Sequence, residues 1–207
     1  MFKSREQAGQ LLAQDLLRYK DRKAVVLAIP RGGVVVGRAV ADELDATLDT
    51  VVVRKIGAPG NEELAIGAVG PNGIAVWNED LLPWLGIGRR AMEGLLQEKE
   101  QERRERERRL RGASPLPNLT GRGVILVDDG IATGSTVAVA AKWVKSQKPE
   151  RIVLAVPVAP EEAVARLREL VDEVVCLSMP EEFFAVGQFY EEFPQVSDEE
   201  VKELLGP

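Results

Sequence analysis

Short apolar runs alternate with helical patterns along most of the chain. The runs are typical of strands buried on both faces, and they span residues 24–29, 48–56, 124–127, 152–156 and 173–177. Helical patterns fill the intervals, at residues 7–19, 34–44, 88–111, 136–147 and 161–170. Because strands that alternate with helices form parallel sheets, the sequence predicts an α/β fold with a twisted parallel sheet flanked by helices.

Glycine and proline interrupt this alternation between the second and third runs. Residues 57–60 read Gly-Ala-Pro-Gly, which predicts a loop. The short apolar segments 66–69 and 74–77 flank the turn-forming residues 70–73, Gly-Pro-Asn-Gly, so we expect a small hairpin there.

The alternation stops altogether at residue 180. We therefore predict one α/β core over residues 1–179, which includes the helical segment at about 88–111. The remainder, residues 180–207, is predicted to form a small C-terminal hood or tail.

The second half of the segment at 88–111 consists almost entirely of Glu and Arg. Such residues four apart form favourable ion pairs on a helix, and the sequence offers Glu100–Arg104, Glu102–Arg106, Glu105–Arg109 and Glu107–Arg111. We interpret the segment as a solvated helix with surface salt bridges in preference to an RNA-binding stripe, because the net charge of the chain is −6. The same charge argues against DNA as a partner.

Composition excludes several kinds of chemistry. The 207 residues include no histidine and a single cysteine, Cys176. Serine–histidine and cysteine–histidine catalysis, histidine-ligated zinc and intrachain disulfides are therefore ruled out. Any metal must be held by oxygen ligands, which favours magnesium, calcium or manganese.

The distribution of apolar residues also bears on location. No apolar run approaches the length of a membrane span, and the first residues lack the apolar stretch of a secretory signal. We therefore expect a cytoplasmic protein without a membrane partner. The sequence leaves open whether it forms a homo-oligomer.

The segment after the third buried run carries the clearest chemical pattern. Asp128 and Asp129 end a predicted strand, and a turn rich in glycine and hydroxyl residues leads from them into a helix. In such a turn, backbone amides and the positive end of the helix bind a phosphate group. The two carboxylates beside it can accept hydrogen bonds from a sugar diol or hold magnesium through water. The alternative is that the acids cap the helix and the glycines turn the chain.

This segment, Val127 to Thr136, resembles the motif by which type I phosphoribosyltransferases bind 5-phosphoribosyl 1-pyrophosphate (PRPP). The resemblance implies that Asp128 and Asp129 act on the ribose hydroxyls and on Mg²⁺. It also implies binding of the 5-phosphate by the residues that follow them, namely Gly130, Ile131, Ala132, Thr133, Gly134, Ser135 and Thr136.

A second resemblance lies after the first predicted strand. Pro30-Arg31-Gly32-Gly33 resembles the loop with which this family binds pyrophosphate, so Arg31, Gly32 and Gly33 are implied as pyrophosphate ligands. Family members usually have a cis peptide bond in that loop, and we predict one between Pro30 and Arg31. The alternative is an ordinary turn between a strand and a helix. The spacing does not match a dinucleotide-binding fingerprint.

A third resemblance concerns Arg54 and Lys55. They are similar to the pair that begins the mobile catalytic loop of orotate and adenine phosphoribosyltransferases, and two cations suit a pyrophosphate leaving group. The loop then offers Glu62 and Glu63 as candidate general bases. For all four residues the alternative is a solvent-exposed charge.

Five of the ten aromatic residues lie in the predicted tail, at Phe183, Phe184, Phe189, Tyr190 and Phe193. Type I enzymes build a hood over the site from a terminal segment, which implies acceptor binding by Phe184, Gln188, Phe189 and Tyr190. Equally, these aromatic residues could anchor the tail to the domain or to a second subunit.

The resemblance as a whole extends from about residue 25 to 147 and fits a group of predicted phosphoribosyltransferases whose acceptor is unassigned. It implies a Mg²⁺-dependent enzyme that transfers the phosphoribosyl group of PRPP to a nitrogenous base and releases pyrophosphate. The hypoxanthine-guanine branch carries Asp where this chain has Ala132, which makes a 6-oxopurine acceptor less favoured. The alternative function is a non-catalytic regulator that senses PRPP or nucleotides on the same fold.

Overall fold

The computed structural model describes residues 1–20, 22–112 and 114–206, so that Pro207 of the predicted tail lies outside the described residues. Two sheets and seven α-helices make up most of the described chain. In order they are α1 (Arg5–Leu16), β1 (Val25–Ala28), α2 (Gly32–Leu44), β2 (Thr47–Thr50), β3 (Arg54–Ala58), β4 (Asn61–Val69), β5 (Ala75–Trp77), α3 (Leu81–Trp84), α4 (Arg89–Arg111), β6 (Gly123–Val127), α5 (Ser135–Ser146), β7 (Arg151–Val158), α6 (Glu161–Leu167), β8 (Glu173–Ser178) and α7 (Asp198–Leu205).

The larger sheet has five parallel strands in the order β2-β1-β6-β7-β8. Its central strands are apolar along their whole length because helices cover both faces. On one face α1, α2 and α7 contribute Leu12, Val36 and Val201, and on the other α5 and α6 contribute Trp143 and Leu167. The predicted α/β fold with a parallel sheet is therefore confirmed.

The predicted strand at residues 48–56 is wrong, because the chain leaves the sheet in its middle. Residues 47–50 pair with β1, whereas Arg54 begins β3 in a different sheet. The three valines between them, Val51 to Val53, lie in or beside the core, so their apolar pattern matches that of a buried strand. Periodicity alone does not reveal a break inside such a run.

The second sheet is a small antiparallel one in the order β3-β4-β5. The predicted hairpin is confirmed, since Val69 pairs with Ala75 and Gly67 with Trp77. The predicted loop at 57–60 is shorter than expected: its first two residues belong to β3, and only Pro59 and Gly60 form the turn. An apolar cluster that includes Ile56, Ile66 and Leu82 packs this sheet against α3 and α4.

The charged helix exists as predicted, but it is not solvated on all sides. The predicted pair Glu100–Arg104 is present, with 2.8 Å between Oε1 and Nε. Glu102 instead contacts Arg54 and Lys99, and Arg111 pairs with Asp49 at the end of β2. The helix therefore joins the two sheets through its charged side chains.

The C-terminal tail is attached to the beginning of the chain. The amide of Phe2 donates to the carbonyl of Phe189 at 2.8 Å, and the amide of Glu191 donates back to Phe2 at the same distance. Tyr190 is buried against the ring of Phe2, with 5.5 Å between centroids. Among the described helices, none is both long enough and apolar enough to cross a membrane.

Candidate active site

The two glycine-rich loops identified in the sequence meet at one edge of the large sheet. Strands β1 and β6 are neighbours, and Ala28 at the end of one is in register with Val127 at the end of the other. The loops that follow them therefore leave the sheet side by side, where ligands of open parallel sheets bind. The peptide bond between Pro30 and Arg31 is cis, as predicted.

Gly32 and Gly33 allow the first loop to lie directly against the acid pair of the second. A Cβ atom at Gly32 would stand 1.8 Å from Oδ2 of Asp129, and one at Gly33 would stand 2.9 Å from the Cα of Asp128. Only a residue without a side chain fits at such a distance. The predicted pyrophosphate loop and the predicted PRPP motif are thus in contact.

Asp128 holds its carboxylate next to a second acid. Its Oδ1 accepts a hydrogen bond of 2.9 Å from the amide of Asp129. Burial raises the pKa of Asp128 well above its usual range, the charge of Asp129 raises it further, and the cation of Lys55 opposes the shift. This carboxylate is consequently a good hydrogen-bond acceptor with a raised affinity for a proton.

Asp129 has a cationic partner that the sequence analysis missed. Nε of Arg5, in the first turn of α1, donates to Oδ2 of Asp129 at 2.7 Å. The Arg5 side chain is buried, lies 3.6 Å from the centroid of the Phe193 ring, and donates from Nη1 to the carbonyl of Pro194. The hydroxyl of Tyr190 donates to the backbone oxygen of Asp129 at 2.6 Å.

One signal in the sequence points to Arg5. It immediately follows Ser4, whose side chain caps α1 and accepts from the amide of Gln7. A cation in the first turn opposes the helix dipole, which suggests that a carboxylate elsewhere in the fold holds it there.

The turn from Gly130 to Thr136 has the form of a phosphate cradle at the start of α5. Gly134 has a positive φ of 79°, and α5 begins at the next residue. The amide of Ile131 donates to Val158, whereas within the described chain the amides of Ala132 and Thr133 donate to no protein acceptor. Ala132 and Thr133 are exposed residues just before α5, a position where free backbone amides and the positive end of a helix can bind an anion.

Arg54 and Lys55 reach the same area from the second sheet. They line a cavity of about 280 Å³ together with Thr136, the last residue of the cradle. Nη2 of Arg54 is 2.6 Å from Oε2 of Glu102 on α4. Both candidate general bases lie further out: Glu62 is 84% exposed with Lys99 3.5 Å away, and Glu63 is also exposed.

The tail approaches the cradle through Val186. A Cβ atom on Gly130 would stand 2.4 Å from Cγ1 of Val186, so the tail packs directly on the PRPP motif. Of the predicted acceptor residues, Phe184 is 85% exposed, whereas Phe189 stacks on Phe183 with 5.1 Å between centroids.

The other two predicted acceptor residues are engaged within the protein. Tyr190 is 6% exposed and bonded to Asp129, as described above. Oε1 of Gln188 accepts from the amides of Phe184 and Ala185 at 3.0 Å, and its Nε2 donates to Glu182. Anchoring therefore accounts for the positions of both side chains.

Comparison with known proteins decides the family. A profile of the phosphoribosyl transferase domain matches residues 3–193. The chain belongs to the phosphoribosyl transferase family. The crystal structure of TT1426 from Thermus thermophilus is 44% identical to this family member, with a TM-score of 0.84 over 99% of this chain and 97% of that one.

Two further comparisons define how far the relationship extends. A Mycobacterium tuberculosis protein provisionally named a phosphoribosyl transferase is 45% identical over 206 residues, which cover 99% of this chain but 46% of that protein. This phosphoribosyl transferase domain thus spans about half the length of the curated relatives it matches. A purine phosphoribosyltransferase from Pyrococcus horikoshii shares the fold at 18% identity, with a TM-score of 0.51 over 93% of this chain and 92% of that one.

The acid pair is the candidate site for a metal ion in this phosphoribosyl transferase domain. In the parts of the chain that the structure describes, no group of three or more acidic, histidine or cysteine side chains is placed to hold a metal ion. Asp128 and Asp129 offer two carboxylates, one of which is paired with Arg5. Magnesium commonly binds to one or two carboxylates and completes its shell with substrate phosphates and water, so the acid pair is compatible with that ion.

Proposed function

We propose that this domain transfers the 5-phosphoribosyl group of PRPP to a nitrogen nucleophile of a small acceptor and releases pyrophosphate. One observation carries the proposal: Gly32 and Gly33 lie against Asp128 and Asp129 at one edge of the sheet. A site for pyrophosphate and a site for a ribose diol would then be adjacent, as the two ends of PRPP require. Membership of the phosphoribosyl transferase family supports this interpretation.

The 5-phosphate would occupy the cradle. The amides of Ala132 and Thr133, the hydroxyls of Ser135 and Thr136 and the positive end of α5 would bind it. Asp128 would accept hydrogen bonds from the ribose hydroxyls, while Asp129, held by Arg5, would fix the other side of the diol. Most of the catalytic effect would come from positioning and electrostatics.

In the transfer step, the bond from C1 of ribose to the pyrophosphate oxygen breaks and a bond from C1 to the acceptor nitrogen forms. Negative charge collects on the leaving pyrophosphate, where Arg31, Arg54 and Lys55 would stabilise it with the amides of the Gly32–Gly33 turn. The proton of the acceptor nitrogen passes to water or to a carboxylate, for which Glu62 and Glu63 are the candidates.

Mg²⁺ would be held by Asp128 and Asp129 through ribose hydroxyls or water, and when bound it supplies positive charge to the phosphates. The Asp129–Arg5 pair makes Asp128 the more available carboxylate of the two.

The acceptor would bind under the hood, residues 180–207. Phe184 offers an exposed aromatic face for a planar base. At the cradle, Ala132 presents a methyl group in place of a carboxylate, which favours an acceptor other than a 6-oxopurine.

The test is pyrophosphate release from PRPP and magnesium against a panel of purine, pyrimidine and other nitrogenous bases. We expect release with one class of acceptor, and its loss in the double variant Asp128→Asn, Asp129→Asn. The exposed Asp15→Asn variant on α1 is the matched control and should keep full activity. PRPP consumption by the double variant would contradict the assigned roles, and PRPP binding without release for any base would favour the sensor function.

A further inference from the structure

Three cationic side chains of helix α4 lie on the face that packs against the rest of the protein. Lys99, Arg103, Arg106 and Leu110 are spaced four, three and four residues apart, which places them on one face of the helix. The side chains of Lys99, Arg103 and Arg106 are 12%, 3% and 19% exposed, and Leu110 is buried. A cation at such a depth requires an anionic partner, since burying a charge alone is costly.

Two of the three cations have close partners within the helix. Nε of Arg103 is 2.7 Å from Glu100, and its Nη1 is 3.1 Å from Glu107. Nζ of Lys99 is 2.6 Å from Glu102. Both cations therefore have a structural explanation that needs no ligand.

Arg106 lacks such a partner. Its nearest carboxylate oxygen is Oδ1 of Asp198 on α7, at 3.7 Å from Nη2. Its Nε atom is buried and has no hydrogen-bond partner among the described residues. The guanidinium is thus held in place by the fold while part of its donor capacity is unused.

The surroundings of Arg106 are cationic. It lines the cavity of about 280 Å³ beside the cradle, whose charged lining residues are four cations and two carboxylates, namely Arg54, Lys55, Lys99, Arg106, Glu62 and Glu102. Burial lowers the pKa of the Arg106 guanidinium; Asp198 opposes that shift, and the charges of Arg31 and Arg54 add to it. Arg54, which lines the same cavity, therefore repels the Arg106 guanidinium.

Glu102 partly relieves this repulsion. Burial alone would raise its pKa, but hydrogen bonds from Lys99 and Arg54 hold the pKa below the usual range. Glu102 thus pairs with two of the four cations of the lining, Arg54 and Lys99. Within the described chain, Lys55 and Arg106 form no ion pair with it.

We propose that Arg106 is a further pyrophosphate-binding residue, which completes a cationic group with Arg31, Arg54 and Lys55. The inference rests on the proposed function of this site. A guanidinium fork matches two oxygens of a phosphate group, and Arg106 lines the cavity beside the cradle together with Arg54 and Lys55. None of the three motifs that carry the family resemblance lies on this helix, whose charges indicated a solvated surface.

The test is calorimetric titration of the full chain with sodium pyrophosphate, and separately with ribose 5-phosphate, in the presence of magnesium chloride. The variant is Arg106→Gln. Its matched control is Arg104→Gln, two residues away on the same helix, where the side chain is 60% exposed and paired with Glu100. We expect Arg106→Gln to weaken pyrophosphate binding by about ten- to a hundredfold, and ribose 5-phosphate binding by less than about twofold.

Arg106→Lys is a second variant in case Arg106→Gln fails to fold, because lysine keeps the buried charge but loses the guanidinium fork. It should bind pyrophosphate less tightly than the natural protein and melt at a similar temperature. Unchanged pyrophosphate affinity in both Arg106 variants would overturn the inference, and so would an equal loss in Arg104→Gln. A loss confined to ribose 5-phosphate would also overturn it, since Arg106 would then serve the 5-phosphate.

These measurements involve no turnover. If Arg106 governs pyrophosphate affinity but no base is ever phosphoribosylated, the inference stands and the proposed transfer reaction fails. If the transfer reaction is found but Arg106→Gln binds pyrophosphate normally, the proposed function stands and the inference about Arg106 fails.

Discussion

Asp128 and Asp129 are neighbours in the sequence, yet their surroundings give them different properties. Asp129 forms a buried ion pair with Arg5, whereas burial and the adjacent charge raise the pKa of Asp128. Asp129 therefore has a cationic partner, whereas the charged form of Asp128 is disfavoured. We expect removal of the carboxylate charge to change the stability of the protein in opposite directions at the two positions.

The opposite responses can be measured as stability. The fold holds the proton of Asp128 more tightly than the unfolded chain does. The contribution of Asp128 to the free energy of unfolding is thus greatest below the ordinary aspartate pKa of about 4. It is lost as the pH rises through the raised pKa that Asp128 has in the folded protein. Asp128→Asn should be more stable than the natural protein at pH 8 and should lack that decline.

Asp129→Asn should instead be less stable by about 3 kcal/mol, because the Arg5 guanidinium would remain buried without its anion. Thermal melting of both variants from pH 4 to pH 8 is the measurement. Destabilisation of the same size in both would show that the environments of the two acids do not differ as described.

At the scale of single residues, the sequence indicated most of the candidate site. The acid pair, the glycines and the hydroxyl residues of the cradle stand together in the chain, so a local pattern is sufficient to find them. Arg5 is different, because its partner lies 124 residues away. Only tertiary structure brings that pair together, and no spacing rule reaches so far.

At the scale of secondary structure, the helix α4 differs most from its sequence interpretation. Its charged residues suggested a solvated surface, but Arg103 is 3% exposed and lies between Glu100 and Glu107. Helical spacing predicted which charges could meet within the helix. It could not predict which face of the charged half would be covered, because beyond the apolar residues Met92, Leu95 and Leu96 that face is marked by charges and by Leu110.

Substitution of Arg103 tests whether this face of α4 is buried. Arg103→Gln would leave Glu107 without its cation and Glu100 with Arg104 alone, and we expect the free energy of unfolding to fall by about 3 kcal/mol. Arg104→Gln removes an exposed pair and should cost less than about 1 kcal/mol. Urea unfolding of the two variants compares them directly, and equal midpoints would mean that the inner face of α4 is solvated after all.

The break in the predicted second strand shows the same limit of local patterns. Residues 51–53 are apolar like the strand before them, yet they carry the chain from one sheet to the other. The turn at Pro59 and Gly60 was visible in the sequence, whereas the pairing of β3 with β4 on either side of it was not predicted. Arg54 and Lys55 consequently begin a strand in the small sheet and do not end one in the large sheet.

At the scale of the whole molecule, both ends of the chain converge on the acid pair. Phe2 pairs with the tail next to Tyr190, and Arg5 contacts Asp129, Phe193 and the carbonyl of Pro194. The position of the hood thus depends on the first residues of the chain. The predicted boundary at residue 180 marks the end of the α/β pattern but not an independent unit.

Loss of Arg5 should therefore loosen the tail. In Arg5→Gln, we expect the free energy of unfolding to fall by about 3 kcal/mol, and limited proteolysis to cut residues 180–196 faster than in the natural protein. Arg18→Gln, which changes an arginine 54% exposed two residues after the end of α1, is the control. Mass spectrometry of the fragments locates the cuts, and an unaltered tail in Arg5→Gln would show that the tail is held by its aromatic contacts alone.

The distance in sequence between Arg5 and its contacts has a consequence for biosynthesis. Its carboxylate partner is translated 124 residues later, and the carbonyl of Pro194 follows 189 residues after it. Contacts between such remote segments form late, because long loops must close first. A nascent polypeptide whose residue 194 is still in the ribosomal exit tunnel therefore lacks part of the surroundings of Asp129, and the candidate site is complete only once that residue has emerged.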